Sequence, residues 1–131
     1  MIRSLAALDQ TCAAEFGAKA ANLGVMIAEG LEVPPGFALS HDLYRAYVAA
    51  NAIDIAPQQH LSHSEELIAA LTSGTMPPEQ AEDIRRRCVE LAGALDVSAA
   101  RFAVRSSASC EDGHRVSMAG VFSSFVDLKL D

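Results

Sequence analysis

The sequence has no tryptophan, and its aromatics stop at five phenylalanines and two tyrosines. A core here must therefore be assembled from Ala, Leu, Val and Ile. It also lacks positive charge: ten Lys and Arg stand against 17 Asp and Glu, a formal net charge of −7. That balance excludes nonspecific binding of nucleic acid through a basic surface, but a local pair of cations can still hold a small polyanion. No apolar run is long enough to span a bilayer, so no membrane partner is expected. The N-terminal stretch "MIRSLAALDQTCAAEFG" has too short an apolar centre for a secretion signal and is broken by Asp9 and Glu15. Cysteine is scarce and odd in number. Cys12, Cys88 and Cys110 have no metal-type spacing and read as free thiols of a reducing cytoplasm.

What is present is a chain of 131 residues, half of them hydrophobic. That is enough for one compact domain and argues against disorder. Residues 18 to 29 read as a helix, with Leu23, Met26, Ile27 and Leu31 at helical spacing and Gly30 as its stop. The prolines of "VPPGFAL" forbid a helix and favour an extended chain, predicting a short strand over Phe37 to Leu39. Ser40 then caps a helix to about Ala50, with Asp42 in its first turn. Residues 51 to 61 read as a loop. Ser62 to Glu65 has capping-box spacing and opens a helix carrying Leu67, Ile68 and Leu71 towards Gly74. Another helix follows Pro77 and Pro78. Its positions Ala81, Ile84, Cys88, Leu91 and Leu95 predict one narrow buried stripe, and Arg85, Arg86 and Arg87 a solvated surface.

The last third changes character. Residues 101 to 107 read as a strand, 108 to 120 as a polar loop and 121 to 130 as a second strand. Val126, Leu128 and Leu130 alternate with Asp127 and Lys129, the period of a half-buried strand. An isolated hairpin is marginal, and a chain that stops on an apolar strand at Asp131 reads as cut short.

Two places offer chemistry. Arg105 ends a strand in "RFAVRSSASCED", where its planar fork of donors suits phosphate or carboxylate oxygens. Ser106 and Ser107 add hydroxyls, and the loop to Gly120 lets backbone amides approach a ligand. Arg105 could equally pair with a core carboxylate while the serines close a turn. Lys19, in "FGAKAANLG", stands at a helix start, where the helix dipole attracts anions; a solvated lysine is the plainer reading. Cys110 beside Glu111 and Asp112 is a poor nucleophile, because carboxylates raise a thiol's pKa. His41, His60, His63 and His114 read as ordinary surface histidines.

Three stretches in order, "FGAKAANLG" (16–24), "GLEVPPGFALS" (30–40) and "FAVRSSASCED" followed by "SMAG" (102–120), resemble the start of the PEP/pyruvate-binding ATP-grasp domain. That domain belongs to the family of phosphoenolpyruvate synthase, pyruvate phosphate dikinase and rifamycin phosphotransferase. The resemblance implies that Lys19 and Arg105 bind ATP phosphates, with Gly120 and Ser124 completing the site and Ser106 and Ser107 beside it. Ser124 stands where the family more often has Thr, keeping the hydroxyl. Val121 stands where many relatives have Gln, and Met118 where Phe is common. The "RSSAS" form looks closer to the synthase and rifamycin branches than to the dikinase branch.

The fold expected is α+β: a partial ATP-grasp, nucleotide-binding domain over residues 1–131, with about four helices and a small, mostly antiparallel sheet. The resemblance implies an ATP-binding segment of an ATP-dependent phosphotransferase. It also implies that Mg2+ is held by ligands outside this chain, and that a histidine on another domain receives the phosphoryl group. No catalytic residue or metal ligand is expected within these residues. The alternative is a truncated or split homologue that binds nucleotide or docks onto a separate chain.

Overall fold

The computed structural model describes residues 1–55, 64–95, 100–107 and 124–129. Its first half is one packed unit. Strand β1 (Ile2–Ser4) runs antiparallel to β2 (Phe37–Leu39), with Arg3 opposite Ala38. Two 3-10 turns, Leu5–Ala7 and Gln10–Cys12, lead into the single-turn helix α1 (Ala13–Phe16) and then α2 (Ala18–Ala28). Helix α3 (His41–Ala50) follows β2 directly. Leu8, Cys12, Phe16 and Ala20 form the buried cluster, with Leu5 and Ala38 packed against it.

The side of α2 that goes inward is its small-residue side: Ala20, Ala21 and Gly24 are buried, whereas Met26 and Leu31 are exposed. The apolar spacing located the helix, and of its residues Leu23 and Ile27 are half-buried. At Gly24 a Cβ would come within 2.2 Å of the Leu8 carbonyl oxygen. Helix and turn thus meet backbone to backbone, which only a residue without a side chain permits. The helix ends as expected, with Gly30 N–H donating to the Ile27 carbonyl and Leu31 N–H to that of Met26.

Ser40 occupies the cap position of α3, but its hydroxyl makes no capping bond and lies buried without a partner. The N–H of Ser40 donates instead to the Met1 carbonyl, tying the helix start to the chain's first residue. Asp42, in the first turn, pairs with Arg45 at 2.9 Å. Helix α4 (Ser64–Ser73) is fastened to α3 by Tyr47, whose hydroxyl donates to the Leu71 carbonyl at 2.6 Å. Asn51 donates to the Thr75 carbonyl and accepts from its N–H. Ser62 and His63 of the expected capping box lie outside the described residues.

Helix α5 (Pro78–Ala94) starts where the two prolines place it. Its stripe is not buried as expected: Ile84, Cys88 and Leu91 are half-buried, and Ala81 and Leu95 are exposed. No described element covers it fully. Arg86 and Arg87 lie on the solvated side, paired with Asp83 and Glu90. Cys12 and Cys88 are free thiols, and partial burial pushes that of Cys88 up.

Strands β3 (Arg101–Arg105) and β4 (Ser124–Lys129) form a second antiparallel pair. Phe102 faces Leu128 and Val104 faces Phe125, so Ala103 stands opposite two residues of β4. This is a bulge, and Asp127 takes the left-handed conformation in it (φ 63°). The bulge breaks the alternation read from the sequence. Directly opposed residues share a face, so Phe102, Val104, Phe125 and Leu128 line one side and Val126 drops out. Nor is β4 half-buried: all six of its residues are exposed, Phe125 by 59%. Architecture is α+β, with five α-helices and two two-stranded sheets among the described residues where about four helices and one sheet were expected.

Candidate functional site: a helix start joined to a strand end

The packed first unit and the end of the hairpin touch at the start of α2. Helix α2 begins after Gly17, whose φ of 86° and ψ of 156° form a conformation essentially reserved for glycine. Gly17 therefore stands at the capping position without a side chain to cap with. The missing hydroxyl comes from 87 residues away: Ala20 N–H donates to Ser107 Oγ at 2.9 Å. This is the third helical residue, the amide that a capping serine or threonine ordinarily satisfies. The approach is close. A Cβ on Gly17 would stand 1.8 Å from the Ser107 carbonyl oxygen.

Lys19 is the second residue of α2 and is half-buried. Arg105 is the last residue of β3, two positions before Ser107, and is exposed. Ser106 and Ser107 leave the strand ladder and are half-buried. Ser124 opens β4 directly opposite Arg105, on the face away from the apolar one. The candidate residues Lys19, Arg105, Ser107 and Ser124 thus lie on three segments, the start of α2, the end of β3 and the start of β4, linked by the Ala20–Ser107 bond and the Arg105–Ser124 pairing. Gly120, Met118, Val121, Cys110, Glu111, Asp112, His60 and His114 lie outside the described residues.

The local electrostatics suit an anion. The start of α2 carries the positive end of an 11-residue helix, with a lysine in its first turn. Among the described residues Arg105 forms no ion pair, so the core-carboxylate reading of this arginine finds no partner there. Arg101 behaves differently and pairs with Asp127 at 2.8 Å. The residues present therefore suit an anion: a helix start, a lysine in its first turn, and an exposed arginine at a strand end.

The ground under α2 is built from residues to which the sequence alone assigned no role. Arg3 lies over the Phe16 ring at 4.7 Å and donates to Cys12 Sγ at 3.2 Å, with Glu15 at 3.5 Å. These contacts hold the single turn of α1 that delivers Gly17. Their signal was weak, because none of these residues is close to Arg3 in sequence. A cavity of about 440 Å3 lies elsewhere, at the end of α3 and along α4, lined by Asn51, Asp54, Glu66 and Gly74 among others. It holds none of the candidate residues, and its carboxylates have the wrong sign for phosphate.

A strand end and a helix start, joined by a serine and carrying one cation each, make an arrangement with the chemistry to attract an anion. The family follows from comparison. Residues 13–131 match the family described as pyruvate phosphate dikinase, AMP/ATP-binding domain, and the chain belongs to it. It is 35% identical to a probable phosphoenolpyruvate synthase of Staphylothermus marinus over 86% of this chain and 15% of that protein. It is 32% identical to a phosphoenolpyruvate synthase of Aeropyrum pernix over the same shares. A rifampicin phosphotransferase of Streptomyces sviceus is 32% identical over 97% of this chain and 16% of the relative. The chain thus spans about a sixth of the length of these relatives or less.

Proposed function

We propose that this chain is the ATP-binding segment of an ATP-dependent phosphotransferase of the phosphoenolpyruvate synthase type. Lys19 and Arg105 hold the ATP phosphates, and Ser124 and Gly120 complete the site. The observation that carries this reading is the Ala20–Ser107 hydrogen bond, which joins the lysine-bearing helix start to the arginine-bearing strand end. The phosphoryl group passes to a histidine on a domain outside this chain. Positioning and charge neutralisation dominate such transfers, and two cations suit that work. Mg2+ accompanies ATP on this reading. Among the described residues no three His, Cys, Asp or Glu side chains cluster as a metal site, and the reading takes its ligands from outside the chain.

Further protein is part of the proposal. The apolar face of the hairpin, half-buried Phe102 with exposed Val104, Phe125 and Leu128, suits a covering element either in the same polypeptide or on a separate chain. That face also supports a second reading, in which the chain is a docking module with little nucleotide affinity of its own. Among the described residues no helix is long and apolar enough to cross a membrane. The proposed setting is the cytoplasm, where ATP and free thiols coexist.

Titration of the 131-residue chain with Mg-ATP separates the two readings. A charge-assisted hydrogen bond contributes about 1.5–3 kcal/mol, so Arg105→Ala should weaken binding about tenfold to a hundredfold. Lys19→Met should act in the same direction. A folded Arg105→Ala chain with unchanged ATP affinity would leave the docking reading in possession.

A further inference from the structure

We infer that Ser107 is a positioning residue that fixes Arg105 relative to Lys19 by capping helix α2 from the hairpin, rather than a ligand of the nucleotide. This rests on the phosphate-binding role proposed for the two cations. Three observations carry it. The capping position of α2 is Gly17, which has no side chain, so the helix supplies no cap of its own. Ser107 Oγ accepts the third-residue amide at 2.9 Å, the bond that an intrinsic cap would make. The backbone of Gly17 lies against the backbone of Ser107 so closely that a Cβ would overlap the carbonyl oxygen at 1.8 Å. The hydroxyl is thus held between the two segments.

The arrangement explains why a helix that carries a phosphate-binding lysine begins on glycine instead of on serine or threonine. A capping side chain at residue 17 would satisfy Ala20 locally and would also push Ser107 away. Glycine leaves the amide to be satisfied by the strand end, so that helix start and strand end form together. Only Ser106 separates Ser107 from Arg105, a distance over which the backbone transmits position with little slack. The cation pair is then coupled: moving the strand end degrades what Lys19 and Arg105 do jointly.

Amide hydrogen exchange and Mg-ATP titration on four chains test this: wild type, Ser107→Ala, Ser107→Thr and Ser107→Ala combined with Arg105→Ala. The Ala20 amide should be protected in the wild type and exchange about tenfold faster in Ser107→Ala, with Asn22 unchanged. ATP affinity should fall about threefold to tenfold in Ser107→Ala and be largely restored in Ser107→Thr, which keeps the hydroxyl. In the Ser107→Ala background Arg105→Ala should cost clearly less than it does alone, because the coupling is already lost. Full additivity would overturn the proposal and make Ser107 an independent ligand. So would an unprotected Ala20 amide in the wild type, or a Ser107→Ala chain with wild-type affinity while Arg105→Ala binds weakly. If Arg105→Ala also leaves affinity unchanged, the phosphate-binding reading itself fails, a result distinct from the others. Should Ser107→Ala not fold, Ala20 protection in the wild type and the affinity of Ser107→Thr decide alone.

Discussion

Phe16 and Phe125 carry the same side chain in opposite surroundings. Phe16 is 1% exposed, pinned between Leu8, Cys12 and Ala20 with the Arg3 guanidinium over its ring. Phe125 is 59% exposed on a hairpin face of four apolar residues. The first unit closes on itself by bringing backbones together at small residues, Ala20, Ala21 and Gly24. The hairpin instead gathers four apolar side chains on one side and leaves three of them, Val104, Phe125 and Leu128, exposed. Phosphate-binding candidates sit where the two meet. A rigid helix start is thus joined to a strand whose other face is available for further packing.

The widest separation between the regions should come from deleting each ring. Truncating a buried Phe to Ala costs about 3–5 kcal/mol, a large share of the stability of a small domain. Phe16→Ala should therefore lower the urea midpoint sharply or unfold the first unit altogether. Phe125→Ala should change the stability of this chain by less than about 0.5 kcal/mol, as surface substitutions do. A large loss at Phe125 would show that its face is covered in solution, and the contrast drawn here would be broken. The same substitution made in a longer polypeptide that includes a covering element should cost more, which would sharpen it.

Gly17→Ala probes the seam itself. It places a Cβ at a backbone conformation that side chains rarely adopt and against the Ser107 carbonyl. Strain of this kind costs about 1–3 kcal/mol before the steric overlap is added, so a total near 3 kcal/mol is expected. The discriminating readout is where the damage falls. Amide shifts should move at both Ala20 and Ser107, with Leu8 and Leu43 little affected. Shifts confined to α1 and α2 would mean that helix and strand are not joined in solution.

Much of this fold could be read from the sequence, and the failures have physical causes. The C-terminal end of α2, the whole of β2 and the start of α5 follow from Gly30, from the Pro34-Pro35 pair and from Pro77-Pro78. All are local backbone constraints. Faces were read less well. Helix α2 turns its alanines and Gly24 inward, because close backbone approach outweighed the larger area of Met26 and Leu31. In β4 the bulge at Asp127 cancelled the period-two pattern, and no residue type announced it. Strand β1 and helix α1 escaped notice because three- and four-residue elements carry no measurable period. Of the candidate site, Lys19, Arg105 and the two serines stood out from their place in the sequence, whereas their joint role, with Gly120 and Ser124, came from resemblance. The hydroxyl that joins them could not be found by spacing, because its partner is a backbone amide 87 residues away.

The smallest effect expected lies within the first unit, at Asp9. Its carboxylate accepts from the hydroxyl and from the N–H of Thr11, the latter at 2.8 Å, capping the second 3-10 turn. Those two hydrogen bonds hold its pKa below the usual value of 3.8. A carboxyl group whose folded pKa is depressed stabilises the fold above its unfolded pKa. The contribution is then lost as the pH falls through the folded value. The loss should therefore appear only under acid, below pH 3.8, and should be slight because the group is solvated. The Thr11 amide resonance reports it directly, with a titration midpoint below 3.8 that disappears in Asp9→Asn. A midpoint at or above 3.8 would mean that the cap is not formed in solution. The turn that leads Cys12 and Phe16 into the core would then be held by packing alone.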